Sequence, residues 1–182
     1  MSNVDFVIDD KKKDIIADAF NVKRESVDSV YQLFLEIAGC IKYQYLAHIM
    51  RAMEVYFRDK TRNPLFVIIC KPYGKQVKNQ MDCSANYYTG RRFVIFYNPA
   101  IDDRKRRVYI AHELGHLFLI AMRDIATKDK RKDVYEGTTE PLSSIFGIFT
   151  ISDKNDFYKN IDDCEINHAN WKAVLDDFLD IK

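Results

Sequence analysis

The stretch VYIAHELGHLFLIAM, residues 108–122, decides how this chain folds. It has no Pro, and outside its centre it is apolar on nearly every side, which is the mark of a buried helix. Its centre reads H-E-x-x-H: His112, Glu113 and His116. Side chains four apart on a helix share a face, so the two imidazoles can reach one metal ion. Glu113 stands one position round, beside the pair, where a carboxylate can deprotonate water. Two imidazoles, an open coordination position and a general base are the working part of a zinc hydrolase, in which the metal lowers the pKa of bound water toward about 7. The alternative is that the two histidines simply pack or face solvent.

The flanks agree with a buried helix that carries a metal site. Asp102 or Asp103 can cap its N-terminus. Two histidines and a glutamate inside a buried helix are costly unless something satisfies them, and a metal does so directly. Gly115 costs a helix about 1 kcal/mol relative to Ala, so it suggests close backbone packing behind the ligands. The stretch is too short and too polar at its centre to span a membrane.

A third protein ligand must come from elsewhere. Asp124, Asp133, Glu136, Glu140 and His168 lie downstream. Asp124 is two to three turns further along the same helix, too far at 1.5 Å rise per residue. Glu140 opens a new apolar segment, PLSSIFGIFTI, with Thr139 as a possible cap and Pro141 suited to a first turn. A helix returning antiparallel to the first would present Glu140 to the ion. A glutamate at a helix N-terminus is also favourable there without any metal.

The stretch RRFVIFYNPAIDDRKRRVYIAHELGHLFL (91–119) resembles the central region of the ImmA/IrrE family of metallopeptidases, which run a strand, an Asn, a short Arg-bearing connection and a helix reading A-H-E-L-G-H. The similarity covers roughly residues 64 to 152. The family's third ligand is a Glu opening a second motif, approximately E-x-x-A-N-x-F-A. Carried over, Glu140 takes the ligand place, Ser143 and Ser144 replace Ala and Asn, Phe146 matches the Phe, and Gly147 stands for the small residue. The chain departs from the family at Thr150, Ile151, Ser152 and Asp153, where relatives read L-L-M-P. The resemblance implies a zincin-like fold holding one Zn2+ on His112, His116 and Glu140, with Glu113 as the catalytic base. It also implies a peptidase that cuts one protein partner, such as a helix-turn-helix repressor. In zincin-like proteins a sheet edge above the motif helix binds an extended peptide, and residues 81–88 are the expected edge. Tyr135, Tyr109 and His168 are candidates for the group that stabilises the oxyanion. The altered 150–153 segment supports a different reading, a non-catalytic metal-binding regulatory or interaction protein of the same fold.

Composition fits a soluble intracellular domain. The 182 residues are 47% hydrophobic and 30% charged, with a net charge of +1, enough for one sizeable core and without bias toward nucleic acid or membrane as a partner. The N-terminus, MSNVDFVIDDKKKD, lacks the apolar core of a secretory signal, so the cytoplasm is the expected location. Cys40, Cys70, Cys83 and Cys164 are widely spread and read as buried thiols.

The order of elements argues α+β in one domain over 1–182: an N-terminal helical region (12–58), a catalytic core (64–152) and a C-terminal helical extension (153–182). Helices are expected to about Phe20, over 25–38 and over 41–59. Strands are expected at 65–70, 81–88 and 92–97, with Thr89-Gly90 turning a hairpin, so the small sheet should be mainly antiparallel. The motif helix, the Glu140 helix and a helix over roughly 165–180 follow. Residues 16–32 have spacing reminiscent of a DNA-reading helix-turn-helix, but Asp14, Asp18 and Asp28 accompany its few cations and favour plain helix packing. Arg104–Arg107 reads as a solvated first turn. Tyr31, Phe34, Tyr43, Tyr45, Tyr56 and Phe57 exceed what one core face requires, and those left exposed would dock a partner.

Overall fold

Helix boundaries fall where the sequence supplies caps. In a computed structural model, which describes residues 8–38, 46–74, 82–88, 91–129, 139–151 and 169–170, Asp9 accepts the Lys12 N–H at 2.9 Å and opens helix α1 (Asp10–Phe20). That backbone bond holds the Asp9 carboxyl below its ordinary pKa. Asn21 ends the helix in the left-handed conformation at φ 50°, as Asn tolerates better than most residues. Helix α2 (Arg24–Ala38) follows, then α3 (Leu46–Thr61). The expected start of α3 at 41 lies outside the described residues.

Three strands come next: β1 (Val67–Pro72), β2 (Cys83–Tyr88) and β3 (Arg92–Tyr97). β1 starts two residues later than expected because Asn63 Oδ1 takes the Leu65 N–H at 3.0 Å, leaving the Leu65 side chain 79% exposed. The sheet order is β1-β3-β2. β2 pairs antiparallel with β3, Cys83 opposite Tyr97, and the hairpin is closed by Arg91 N–H on Tyr88 C=O at 2.9 Å. β1 pairs parallel with β3, Val67 opposite Arg92. The sheet is therefore mixed, which corrects the mainly antiparallel expectation. The chain leaves β1 and returns on the far side of β3, so β1 and β3 run the same way.

Helix α4 (Asp103–Asp129) carries the motif, and α5 (Thr139–Ile151) carries Glu140. Every residue of α5 from Leu142 to Thr150 is buried. Phe118 of α4 stacks on Phe146 with ring centroids 4.8 Å apart. On its other side α5 meets α2, where Phe34 contacts Phe146 and Phe149, and Tyr31 contacts Phe149. A helix enclosed on two sides can be apolar all round, as PLSSIFGIFTI nearly is. The sheet packs on α4 through β2 and β3, and α3 supports β1. Five helices and a three-stranded sheet among the described residues make the fold α+β. None of those helices is long and apolar enough to cross a membrane. Of the expected C-terminal helix over roughly 165–180, only 169–170 are described, and they form a turn.

The N-terminal region serves packing. Arg24 bonds Asp10, Asp14 and Asp28, and the buried Lys13 bonds Asp28 at 2.9 Å, so Arg24 of the helix-turn-helix-like stretch is paired with carboxylates. Tyr31, Phe34 and Phe57 are core residues and Tyr56 is half-buried against them. They cover α5 and the sheet and are not available to dock a partner; Tyr43 and Tyr45 lie outside the described residues.

Candidate metal centre

Asp102 Oδ1 accepts the Lys105 N–H at 2.9 Å and caps α4, so the helix axis is set about two turns before the motif. Arg106 pairs with Asp103 and lies over the Tyr97 ring at 5.0 Å, while Lys105 and Arg107 are exposed, as expected of a solvated first turn. From Val108 to Leu119 the helix is buried or half-buried. His112 has a side chain only 8% exposed, His116 23%.

The two imidazoles converge. His112 Nε2 and His116 Nε2 are 3.0 Å apart, and the Glu140 carboxylate meets both, Oε2 lying 3.3 Å from the first and Oε1 3.2 Å from the second. Among the described residues these three form the only such cluster of His, Cys, Asp or Glu. Zinc bonds of about 2.0–2.2 Å arranged tetrahedrally separate donor atoms by about 3.3–3.6 Å. The observed separations lie at or just below the short end of that range. Glu140 is 62% exposed, so the cluster opens to solvent on the carboxylate side and is closed behind the imidazoles.

What closes it is α5. Ser143 Oγ lies 3.0 Å from His116 Nδ1, and Ser144 Oγ lies 3.2 Å from His112 Nδ1. The outer nitrogen of each ring thus has a hydroxyl partner, the arrangement that orients metal-binding histidines. Gly115 makes the approach possible: a Cβ there would come within 2.4 Å of the Ser143 carbonyl oxygen and 2.7 Å of its Cα. The close packing expected from Gly115 is therefore real, and its counterpart is the backbone of Ser143. The contacts step in the same direction along both helices, His112 to Glu140, Gly115 to Ser143 and Phe118 to Phe146. An antiparallel return would step them oppositely, so that expectation is corrected.

Glu113 is half-buried next to His112 on α4. Tyr109 sits one turn earlier, packed partly against the core. Tyr135, His168, Asp133 and Glu136 lie outside the described residues. Asp124 lies on α4 about 12 Å along the axis from His116 at 1.5 Å per residue, so it belongs to no shared site. The roles of Ser143 and Ser144 were not anticipated. The available signal was two hydroxyls in a segment otherwise apolar from Leu142 to Phe149, since buried polar groups need partners.

Comparison of the chain with protein-family profiles, with curated proteins and with solved structures finds no match. The functional reading rests on the site's own residues.

Proposed function

We propose that this protein is a zinc-dependent metallopeptidase that cuts a regulatory protein partner at a defined site, the zinc being held by His112, His116 and Glu140. The observation that carries the reading is the convergence of His112, His116 and the Glu140 carboxylate, with separations of 3.0–3.3 Å, beside Glu113 on α4. Bound zinc would supply Lewis acidity, acidifying water and polarising a peptide carbonyl. Glu113 accepts the proton of the attacking water and returns it to the departing amine. A second oxyanion donor is still required, and Tyr109 is the described residue closest in sequence to the site; Tyr135 and His168 remain the other two candidates.

Two further features support a peptide substrate. The sheet order leaves β2 at the edge that packs on α4. The opposite edge, β1, is covered: Glu54 Oε1 accepts the Ile68 N–H at 2.9 Å and Arg58 donates to the Phe66 carbonyl at 2.9 Å. An extended chain adding by backbone hydrogen bonds would use β2. The resemblance of residues 91–119 to ImmA/IrrE peptidases supports a helix-turn-helix repressor as the partner class.

The test is incubation of the zinc-loaded protein with a small helix-turn-helix repressor encoded beside it, read by mass spectrometry. The expected result is one defined cut by the wild type, and none by Glu113→Gln, which keeps its zinc and its fold. Cutting by Glu113→Gln at the wild-type rate overturns the mechanism. An uncut partner with zinc bound assigns the non-catalytic regulatory reading.

A further inference from the structure

We propose that Ser144 is a positioning residue that holds the His112 imidazole in the Nδ1–H tautomer, so that α5 supplies the third ligand and also aims His112. This rests on the metal-binding half of the reading above and does not require that any peptide bond be cut.

The argument begins with one proton. Ser144 Oγ lies 3.1 Å from the carbonyl oxygen of Glu140, one turn back on α5, and donates to it. A carbonyl only accepts, and a hydroxyl has a single hydrogen to give. The side of Ser144 Oγ that faces His112 therefore offers a lone pair. His112 Nδ1, 3.2 Å away, must carry the hydrogen of that contact, which leaves a lone pair on Nε2. That nitrogen is the one directed at His116 and Glu140. In a neutral histidine the hydrogen bond at one ring nitrogen decides the state of the other. Ser143 Oγ lies 3.0 Å from His116 Nδ1, and the His116 Nε2 contact at 3.0 Å finds an acceptor in the free lone pair of His112 Nε2.

Burial makes the contacts selective. Ser143 is 0% and Ser144 1% exposed, so solvent does not compete for the two ring nitrogens. Gly115 sets the spacing, because the Ser143 backbone rests where a Cβ would be. A helix built for packing alone would favour Ala at 143 and 144, since Ser competes for backbone hydrogen bonds inside helices. The rival arrangement turns the Ser144 hydroxyl toward Nδ1 and places the proton on Nε2, where it would bond the Glu140 carboxylate at 3.3 Å. That arrangement ties ligand to ligand and leaves His112 without a lone pair for a metal.

The two arrangements differ in which nitrogen is protonated, and a long-range proton–nitrogen correlation spectrum reads that directly. The experiment uses the full chain, labelled with 15N and freed of metal by chelation, at a pH where both rings are neutral. His112 is expected as Nδ1–H; an Nε2–H signal for His112 overturns the proposal. Zinc affinity by chelator competition forms the second arm. Ser144→Ala is expected to bind zinc about 10–100-fold more weakly, the usual effect of removing an outer partner of a ligand, and to lose the Nδ1–H preference at His112. Unchanged affinity in a folded Ser144→Ala overturns it equally. The wild-type spectrum decides the matter even if the variant does not fold. A wild type that shows Nδ1–H on His112 but binds no zinc supports the tautomer assignment and refutes the metallopeptidase reading. One that binds zinc yet shows Nε2–H does the reverse.

Discussion

Replacing Gly115 with Ala should destabilise the protein, although helix propensity alone predicts the opposite. Ala is about 1 kcal/mol better than Gly within a helix. Here the added Cβ would meet the Ser143 carbonyl oxygen at 2.4 Å, its Cα at 2.7 Å and its carbonyl carbon at 2.9 Å. All three are backbone atoms, so no rotamer change relieves them. Contacts between such atoms settle near 3.5 Å, so α5 must retreat by roughly 1 Å. Overpacking of this kind costs about 1–3 kcal/mol and occasionally more. With the propensity gain subtracted, the clash at three backbone atoms should leave a net loss of up to about 2 kcal/mol. For a chain of this size that lowers Tm by up to roughly 8 °C. The same retreat lengthens the 3.2 and 3.3 Å separations between Glu140 and the imidazoles, so zinc affinity should drop at least about tenfold, as it does when an outer-shell support is lost. Thermal melts in chelator isolate the packing effect, and zinc competition reads the site. A Gly115→Ala protein with raised Tm and wild-type zinc affinity would refute the close packing of α4 on α5.

Other residues make separate predictions. Glu140→Ala should lower bound zinc measured by atomic absorption, while Glu136→Ala and Asp133→Ala keep about one ion per chain as a single site requires; the reverse ranking would move the third ligand. Glu54→Ala removes the acceptor of the Ile68 N–H and the partner of Arg51 and Arg58, and should cost about 1–3 kcal/mol in urea unfolding; no measurable change would mean that the β1 edge is held some other way. Burial pushes the Cys70 thiol up to about 11, and the thiolate is the reactive form. Iodoacetamide at pH 8 should therefore label Cys70 at least about tenfold more slowly than a free cysteine, the rate rising as pH approaches 11; labelling at the free rate contradicts its burial.

Local pattern made some of this architecture legible and left the rest hidden. The motif helix could be read because its apolar residues run unbroken around His112, Glu113 and His116, and because Asp102 offers a cap. Caps and breakers likewise marked the ends of α1 and α2 to within a few residues. β1 was misplaced by two residues because LFVIIC is continuously apolar and has no alternation to set a register, while the Asn63 bond that delays it is a turn contact. Its parallel pairing depends on where the chain re-enters the sheet, which no local signal encodes. Glu140 was legible through its place at a helix start and through the family resemblance, but the direction of α5 was not. The N-terminal aromatics looked surplus only because α5 was not yet known to be enclosed. Tyr31 and Phe34 fill the face of α5 that α4 leaves open.

Anomalous diffraction at the zinc edge, from crystals of the full chain grown with one equivalent of zinc, tests the central claim most directly. One strong peak should appear at bonding distance, about 2.0–2.2 Å, from His112 Nε2, His116 Nε2 and a Glu140 oxygen together. A peak on other residues, or none beside His112 and His116, would contradict the assignment of this site.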